Sequence, residues 1–573
     1  MLQLLNLKEK KNFYIFIFLM SIFSFLEVFN LSLILPILEN LLSANNNKSD
    51  YLLFIEEILG KDNFLVFLTI FFFLLMITKN IYLIIITYFQ NRFIYDFKFR
   101  LTNNLFDKII SLTYQAFHQK NSSSYVKNLV GDTNQITQCI SMLITLYSDC
   151  LILLCIFLML FFVDFKIAII TFVILLFITF LYYRFFKKVF KGLGKKRYIY
   201  EANIYKTLNN TLGAFLEINL FKKKFFFKDY FSLNNKLNNT TMEKYTFLQS
   251  LPRVFFELIG VSILILLFLY YQSIPDISIQ SILPKMSLFV LCLIRLMPLF
   301  NRITLSIQNI KFANQTGLIL FNELNQMENI SLKNVDKKIK NKAIVLNAKS
   351  EIIIKDLNFI INDKKIINNL NLKITYGEKI GIYGESGSGK STFAKLFSGL
   401  ILPSAGTINL NESNIFNNLH EWQENISYLK QDNFILDDSI KNNICFGEEK
   451  IDLKKLNQSV KETRLDKLIS GLPEGLNTNI GENGQKISGG EKQRICLARS
   501  LYHNKKIFIF DEPTSALDDE NEKLIMDCIN SLDGKLVILI SHNKKIFTKF
   551  NKIYNFEEGK LFFDKNLSID NND

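Results

Sequence analysis

The seven cysteines of this sequence (139, 150, 155, 292, 445, 496 and 528) include no C-x-x-C pair. With three or four of them inside apolar runs, the expectation is reduced, packed thiols, with neither a disulfide framework nor a zinc site. No A-x-A cleavage site follows the first apolar run, which extends from about Phe13 to Leu38. A signal peptide's apolar region covers roughly 7–15 residues, so this longer run is expected to remain as a membrane-crossing helix. Basic residues are scarce in the gaps 39–63, 164–166 and 274–281, yet abundant in Lys8–Lys11, 92–139 and 187–253. Basic loops stay cytoplasmic, which predicts that both termini lie inside. The formal net charge of +14 sits beside apolar runs. It is therefore expected to face anionic lipid, with no nucleic-acid partner.

What the sequence holds in quantity is apolar surface: 49% hydrophobic residues, with 55 Phe crowded towards the first half. A span needs about 20 apolar residues. Six stretches qualify: roughly 13–38, 64–89, 140–163, 167–186, 254–273 and 282–300. The link Asp164-Phe165-Lys166 makes the third and fourth an external hairpin. The gaps 92–139 and 187–253 carry mixed charge with helical periodicity, so helices are expected to continue past the membrane. Asn121-Ser122-Ser123-Ser124 and Asn209-Asn210-Thr211-Leu212-Gly213 break those patterns, and each is expected to be a reversal touching a second domain. Tyr51–Leu59 reads as a short amphipathic helix at the outer membrane surface. Four cations interrupt or flank the apolar runs: Lys79, Arg253, Arg295 and Arg302. Charges at that depth are costly. Arg295 and Arg302, seven residues apart, share a helix face. If the four converge, they make a basic belt suited to a phosphate-bearing cargo.

Past about residue 325 the texture changes. Residues 326–342 are polar and low in complexity, a linker between a membrane domain (1–325) and a soluble one (343–573). From Ala343 short β-rich runs alternate with helical patterns, predicting an α/β domain with a mainly parallel sheet. Near its start, Gly384-Glu385-Ser386-Gly387-Ser388-Gly389-Lys390-Ser391 reads G-x-x-x-x-G-K-[ST], between an apolar strand and a helix. Glycines let successive N–H groups point into one concavity, and the following helix adds its positive end. Lys390 reaches β- and γ-phosphates, and Ser391 ligates Mg²⁺. Downstream, Gln431 ends an apolar strand, where it completes the Mg²⁺ shell. Ser488-Gly489-Gly490-Glu491 opens a helix as a second anion site. Ile507–Phe510 runs into Asp511-Glu512, with Asp511 for the metal shell and Glu512 as general base. Asp518 follows shortly after, and His542 ends a further strand.

Together these residues resemble the ATP-binding cassette exporters, in the half-transporter form. Gly384 to Thr392 match the Walker A, including Gly384, Ser386, Gly387, Gly389, Lys390, Ser391 and Thr392. Gln431 matches the Q-loop, Ser488-Gly489-Gly490 the signature, Asp511-Glu512 the Walker B, Asp518 the D-loop and His542 the switch histidine. Thr478-Asn479-Ile480-Gly481-Glu482 resembles the exporter loop that contacts the membrane domain. The signature reads Ile-Ser-Gly-Gly-Glu where Leu-Ser-Gly-Gly-Gln is usual. Phe359 is the aromatic offered for adenine, with Ile361 where the family places one. The resemblance implies six transmembrane helices with cytoplasmic extensions, then a P-loop nucleotide-binding domain. It also implies ATP and Mg²⁺ as cofactors, a homodimer with both ATP sites active, and a bacterial inner-membrane location. Within the family, Leu251-Pro252-Arg253-Val254 with Glu257 and Gly260, and Ile294–Pro298 with Asn301-Arg302, resemble the bacterial lipid-linked oligosaccharide flippases of protein N-glycosylation. That likeness implies a polyprenyl-pyrophosphate glycan as cargo and membrane lipid as partner. Export of a drug, a peptide or a lipid A-like lipid is the alternative.

Overall fold

The computed structural model describes residues 4–37, 61–272, 279–335, 346–430, 433–514 and 519–564. They form two compact units, Met1–Leu112 with His118–Ile330, and Thr113–Phe117 with Ser331–Asp573. The segment Tyr51–Leu59 lies outside the described residues.

The first unit is all helix: α1 (Leu7–Ser32), α2 (Lys61–Ile110), α3 (Thr133–Val163), α4 (Phe165–Gly213), α5 (Lys224–Gln272) and α6 (Ile279–Val335). Among the described residues, six helices are long and apolar enough to cross a membrane. Helices of 49 residues, α4 and α5, measure about 74 Å at 1.5 Å per residue. A bilayer core is about 30 Å thick, so each extends well beyond it, as the charged periodic gaps predicted. Exposed Phe73 and Ile84 on α2 and Phe177 on α4 meet lipid in a membrane, where only internally satisfied backbones are tolerated.

Local chemistry sets the helix ends. At α1, the Asn6 side chain accepts from the Glu9 N–H while the Glu9 carboxylate accepts from the Asn6 N–H, a reciprocal cap. Between α3 and α4 the Asp164 carboxylate accepts from the Ile167 N–H, restarting the helix after the expected tight link. The two expected reversals are displaced. Asn121 precedes a restart at Ser122–Lys127, so the chain turns within 111–121 instead. Helix α4 runs straight through Asn209–Gly213, where the Thr211 hydroxyl donates to the Thr207 carbonyl, and the chain turns at 214–223. Self-bonded Thr and exposed Asn are weak helix breakers when the turn beneath is held.

Ser122–Lys127 enters α3 through one wide π-turn, Asn128–Asp132. That turn brings residues five apart together: Lys127 Nζ lies 3.1 Å from Asp132 Oδ2, both buried, and 3.2 Å from the centre of the Tyr198 ring. Gly194 on α4 lets α6 approach closely, since a Cβ there would sit 2.1 Å from the Phe312 carbonyl oxygen. Helix α6 continues to Val335, through part of the segment read as a linker.

The second unit is α/β. Strands β1 (Glu351–Ile361), β2 (Lys364–Thr375), β4 (Ala405–Leu410) and β5 (Ser413–Asn414) form an antiparallel sheet. The second sheet has the order β10-β9-β3-β8-β7-β6. It comprises β3 (Lys379–Tyr383), β6 (Ile426–Leu429), β7 (Ile507–Asp511), β8 (Leu536–Ile540), β9 (Lys552–Glu557) and β10 (Lys560–Phe563). All its pairings are parallel except the β9–β10 hairpin. Strands β7 and β8 are buried along their whole length, which is why they read as unbroken apolar runs. The parallel order matters functionally: β3, β7 and β8 are adjacent and end on the same side.

Candidate nucleotide-binding site

The loop after β3 is forced by its glycines. Gly384 has φ +155°, and a Cβ there would meet the Phe556 carbonyl oxygen at 2.3 Å. Gly389 has φ +114° and hands the chain to helix α7 (Lys390–Phe397). Only glycine adopts such angles freely. Lys390 is nearly buried and donates to the carbonyls of Gly384 and Glu385 at 2.8 and 2.7 Å. Burial lowers its pKa, and the nearby Glu512 and Asp511 oppose that. An ammonium has three donors, so this one retains one beyond the two carbonyls. The Ser388 hydroxyl in the same loop is buried without a hydrogen-bond partner. An orphaned hydroxyl and an underused ammonium over a glycine-built cradle fit a phosphate.

At the end of β7 the two carboxylates divide. Asp511 is buried and fully engaged: the Ser391 hydroxyl donates to Oδ1 at 3.1 Å and the Tyr428 hydroxyl to Oδ2 at 2.8 Å. Burial and the charge of Asp511 push the Tyr428 phenol well above its usual range, so it stays a donor. The donors here are all hard oxygens, a set that fits Mg²⁺. Glu512 takes a left-handed backbone conformation, φ +55°, unusual for a residue with a side chain. Its N–H still pairs with the Ile540 carbonyl, extending the β7–β8 ladder. The result aims Glu512 away from Asp511 and across to His542, whose Nε2 lies 2.6 Å from Glu512 Oε1.

Ser488 caps helix α8 (Gly489–Tyr502): its hydroxyl accepts from the Glu491 N–H, and Glu491 Oε2 accepts from the Ser488 N–H at 2.7 Å. Either Glu or Gln closes such a box, which accounts for the glutamate in this signature. A Cβ at Gly489 would meet open space, while one at Gly490 would meet Asn521 at 2.9 Å. The first glycine thus leaves the helix tip bare, and the second seats it.

Two family models match along the chain: "ABC transporter transmembrane region" over residues 13–297 and "ABC transporter" over 367–515. This chain is an ABC transporter. The transporter is 34% identical over 221 residues to a probable ABC transporter ATP-binding/permease protein of Haemophilus influenzae, covering 38% of this chain and 40% of that one. It is 40% identical over 198 residues to the leukotoxin translocation ATP-binding protein LktB of Mannheimia glucosida, covering 34% and 28%. The matched stretch therefore spans well under half of these curated relatives. A bacterial Atm1-family ABC exporter with ATP bound shares the fold, with TM-score 0.77 over 97% of this chain and 95% of that one, at 18% identity. The architecture is thus six apolar helices followed by an ABC-type nucleotide-binding cassette.

Not every expected residue of the transporter joins the site. Gln431 and Asp518 lie outside the described residues. Phe359 is a correction: it is buried in the core, paired with Ile367, and offers adenine no free face, whereas Ile361 is exposed. Strand alternation turns the aromatic inward. In the membrane unit, Lys79 is buried, with Nζ 2.6 Å from Glu27 Oε2, and Arg295 pairs with Glu27 Oε1. Arg302 Nη2 lies 2.8 Å from Asp149 Oδ1. Arg253 is exposed. Sequence reading missed Tyr428, Ser388, Glu27 and Asp149. The signals were present: a tyrosine in a buried strand needs a partner for its hydroxyl, and a carboxylate inside an apolar run needs a cation.

Proposed function

We propose that this transporter is an ATP-driven flippase for a polyprenyl-pyrophosphate-linked oligosaccharide, working as a homodimer in a bacterial inner membrane with its cassettes in the cytoplasm. The observation that carries the cargo reading lies on α6. Arg295 and Arg302 there keep side chains 50% and 58% exposed within an apolar helix unit. Guanidinium groups bind phosphates in bidentate fashion. A polyprenyl tail stays in lipid while the pyrophosphate meets these cations.

In the cassette, the loop from Gly384 to Thr392 cradles the phosphates, with Lys390 turning from its two carbonyls to them. The Ser488–Gly490 tip of the second copy closes on the same nucleotide. Ser391, Asp511 and Gln431 would hold Mg²⁺, which would neutralise charge at the phosphates. Glu512 accepts the proton of the attacking water, and His542 holds its carboxylate in position. Phosphate binding closes the pair and its loss opens it, a switch driven by local electrostatics.

A second reading, export of another amphipathic cargo, is favoured by the likeness to the leukotoxin translocation protein. Rescue of N-glycosylation in a host lacking its own flippase decides between them. Rescue supports the flippase. Failure, with ATPase stimulated by drugs or peptides instead, supports the second reading.

A further inference from the structure

Three helices of the membrane unit share one carboxylate. Glu27 on α1 gives Oε2 to Lys79 on α2 and Oε1 to Arg295 on α6. The partners are unequal. The Lys79 and Glu27 side chains are 8% and 6% exposed, whereas that of Arg295 is half exposed. The neighbourhood is also incompletely satisfied. Asn30 Nδ2, one turn along α1 from Glu27, is buried without a hydrogen-bond partner.

We propose that Glu27 is a built-in rival of the cargo: it occupies Arg295 when the transporter is empty, and an incoming lipid phosphate takes Arg295 from it. Lys79 stays with Glu27 throughout. The inference rests on the anionic-cargo reading above. Three arguments support it. A desolvated Lys79 has no open side to offer a ligand, while Arg295 has. One carboxylate serving two cations leaves the trio at +1, so one added negative charge neutralises it, and a cationic amphiphile is repelled. A pin between α1 and α2 needs only Lys79; the second cation adds a contact that can be exchanged. Glu27 then sets a threshold: weakly anionic lipids fail to displace it, and release of cargo is assisted when its carboxylate recaptures Arg295.

The test uses full-length protein in lipid nanodiscs. Three probes are compared: a sugar-free polyprenyl pyrophosphate, dodecyl phosphate, and the neutral polyprenol. The readouts are direct binding and the half-saturating concentration for ATPase stimulation. Glu27→Gln is expected to lower the half-saturating concentration of both phosphorylated probes about tenfold, the scale of one hydrogen bond to a charged group. It is expected to lower maximal stimulation and to leave the polyprenol response unchanged. Glu27→Asp keeps a charge beside Lys79 but shortens the reach to Arg295, and is expected to shift the same way by less. It decides the matter if Glu27→Gln does not fold. Unchanged or raised half-saturation for both phosphorylated probes overturns the inference and leaves Glu27 a structural pin. If only dodecyl phosphate acts, and acts more tightly on the variant, the inference holds and the polyprenyl cargo falls. If the polyprenyl pyrophosphate stimulates wild type and variant alike, the cargo stands and the inference falls.

Discussion

Glu512 and His542 meet at 2.6 Å although they follow different strands, β7 and β8. The contact depends on the left-handed backbone at Glu512, φ +55°. Such a residue costs of order 1–3 kcal/mol, and the ladder bond from its N–H to Ile540 holds it in place. Glu512→Gln is expected to abolish ATP turnover while leaving ATP binding intact. Phosphate release at the wild-type rate, alongside normal nucleotide binding, refutes the assigned base.

Tyr428→Phe removes one of the two donors to the buried Asp511. An unmade bond to a charged group costs about 1.5–3 kcal/mol. The cassette is expected to lose unfolding free energy in that range and so to melt at lower temperature, and Mg²⁺ half-saturation of the ATPase to shift. Identical melting and identical Mg²⁺ dependence would show the phenol idle.

Gly384→Ala places a methyl group 2.3 Å from the Phe556 carbonyl oxygen, at a φ that alanine avoids. ATP binding measured with a fluorescent nucleotide is expected to fall at least about tenfold. Gly387→Ala is the comparison for backbone strain without a clash, because its φ is +79° and its Cβ would meet open space. Equal binding by both variants would show that the cradle is not set by Gly384.

Lys127 and Asp132 are a buried pair held by the π-turn. Breaking one half of such a pair costs about 3–5 kcal/mol, while replacing both with apolar residues is often neutral. Asp132→Asn is therefore expected to lower the detergent melting temperature clearly, and Lys127→Met with Asp132→Leu to restore most of it. Full stability of Asp132→Asn removes the pair from the account.

Much of the cassette was legible because its chemistry is local. Gly384 through Ser391, Ser488–Gly490 and Asp511-Glu512 are each set by contiguous residues whose glycines and caps dictate the backbone. The six spans were equally plain, since length and apolarity alone define them. What sequence could not reach was which cation meets which carboxylate. Lys79 and Arg295 were visible as costly charges, but Glu27 lies 52 and 268 residues away from them in the chain, and only helix packing brings the three together. Phe359 failed for a smaller reason: it follows Leu357 on the buried face of β1, so its ring is spent in the core. The reversals slipped because Asn and Thr also sit comfortably inside a helix whose turn is otherwise held.

The most direct measurement follows a fluorescent polyprenyl-pyrophosphate-linked glycan across the bilayer of proteoliposomes, with Mg-ATP, for wild type and Glu512→Gln. The wild type is expected to move label to the opposite leaflet, and the variant to bind ATP yet move none. Movement by the variant at the wild-type rate, or none by a wild type that hydrolyses ATP, would contradict the account.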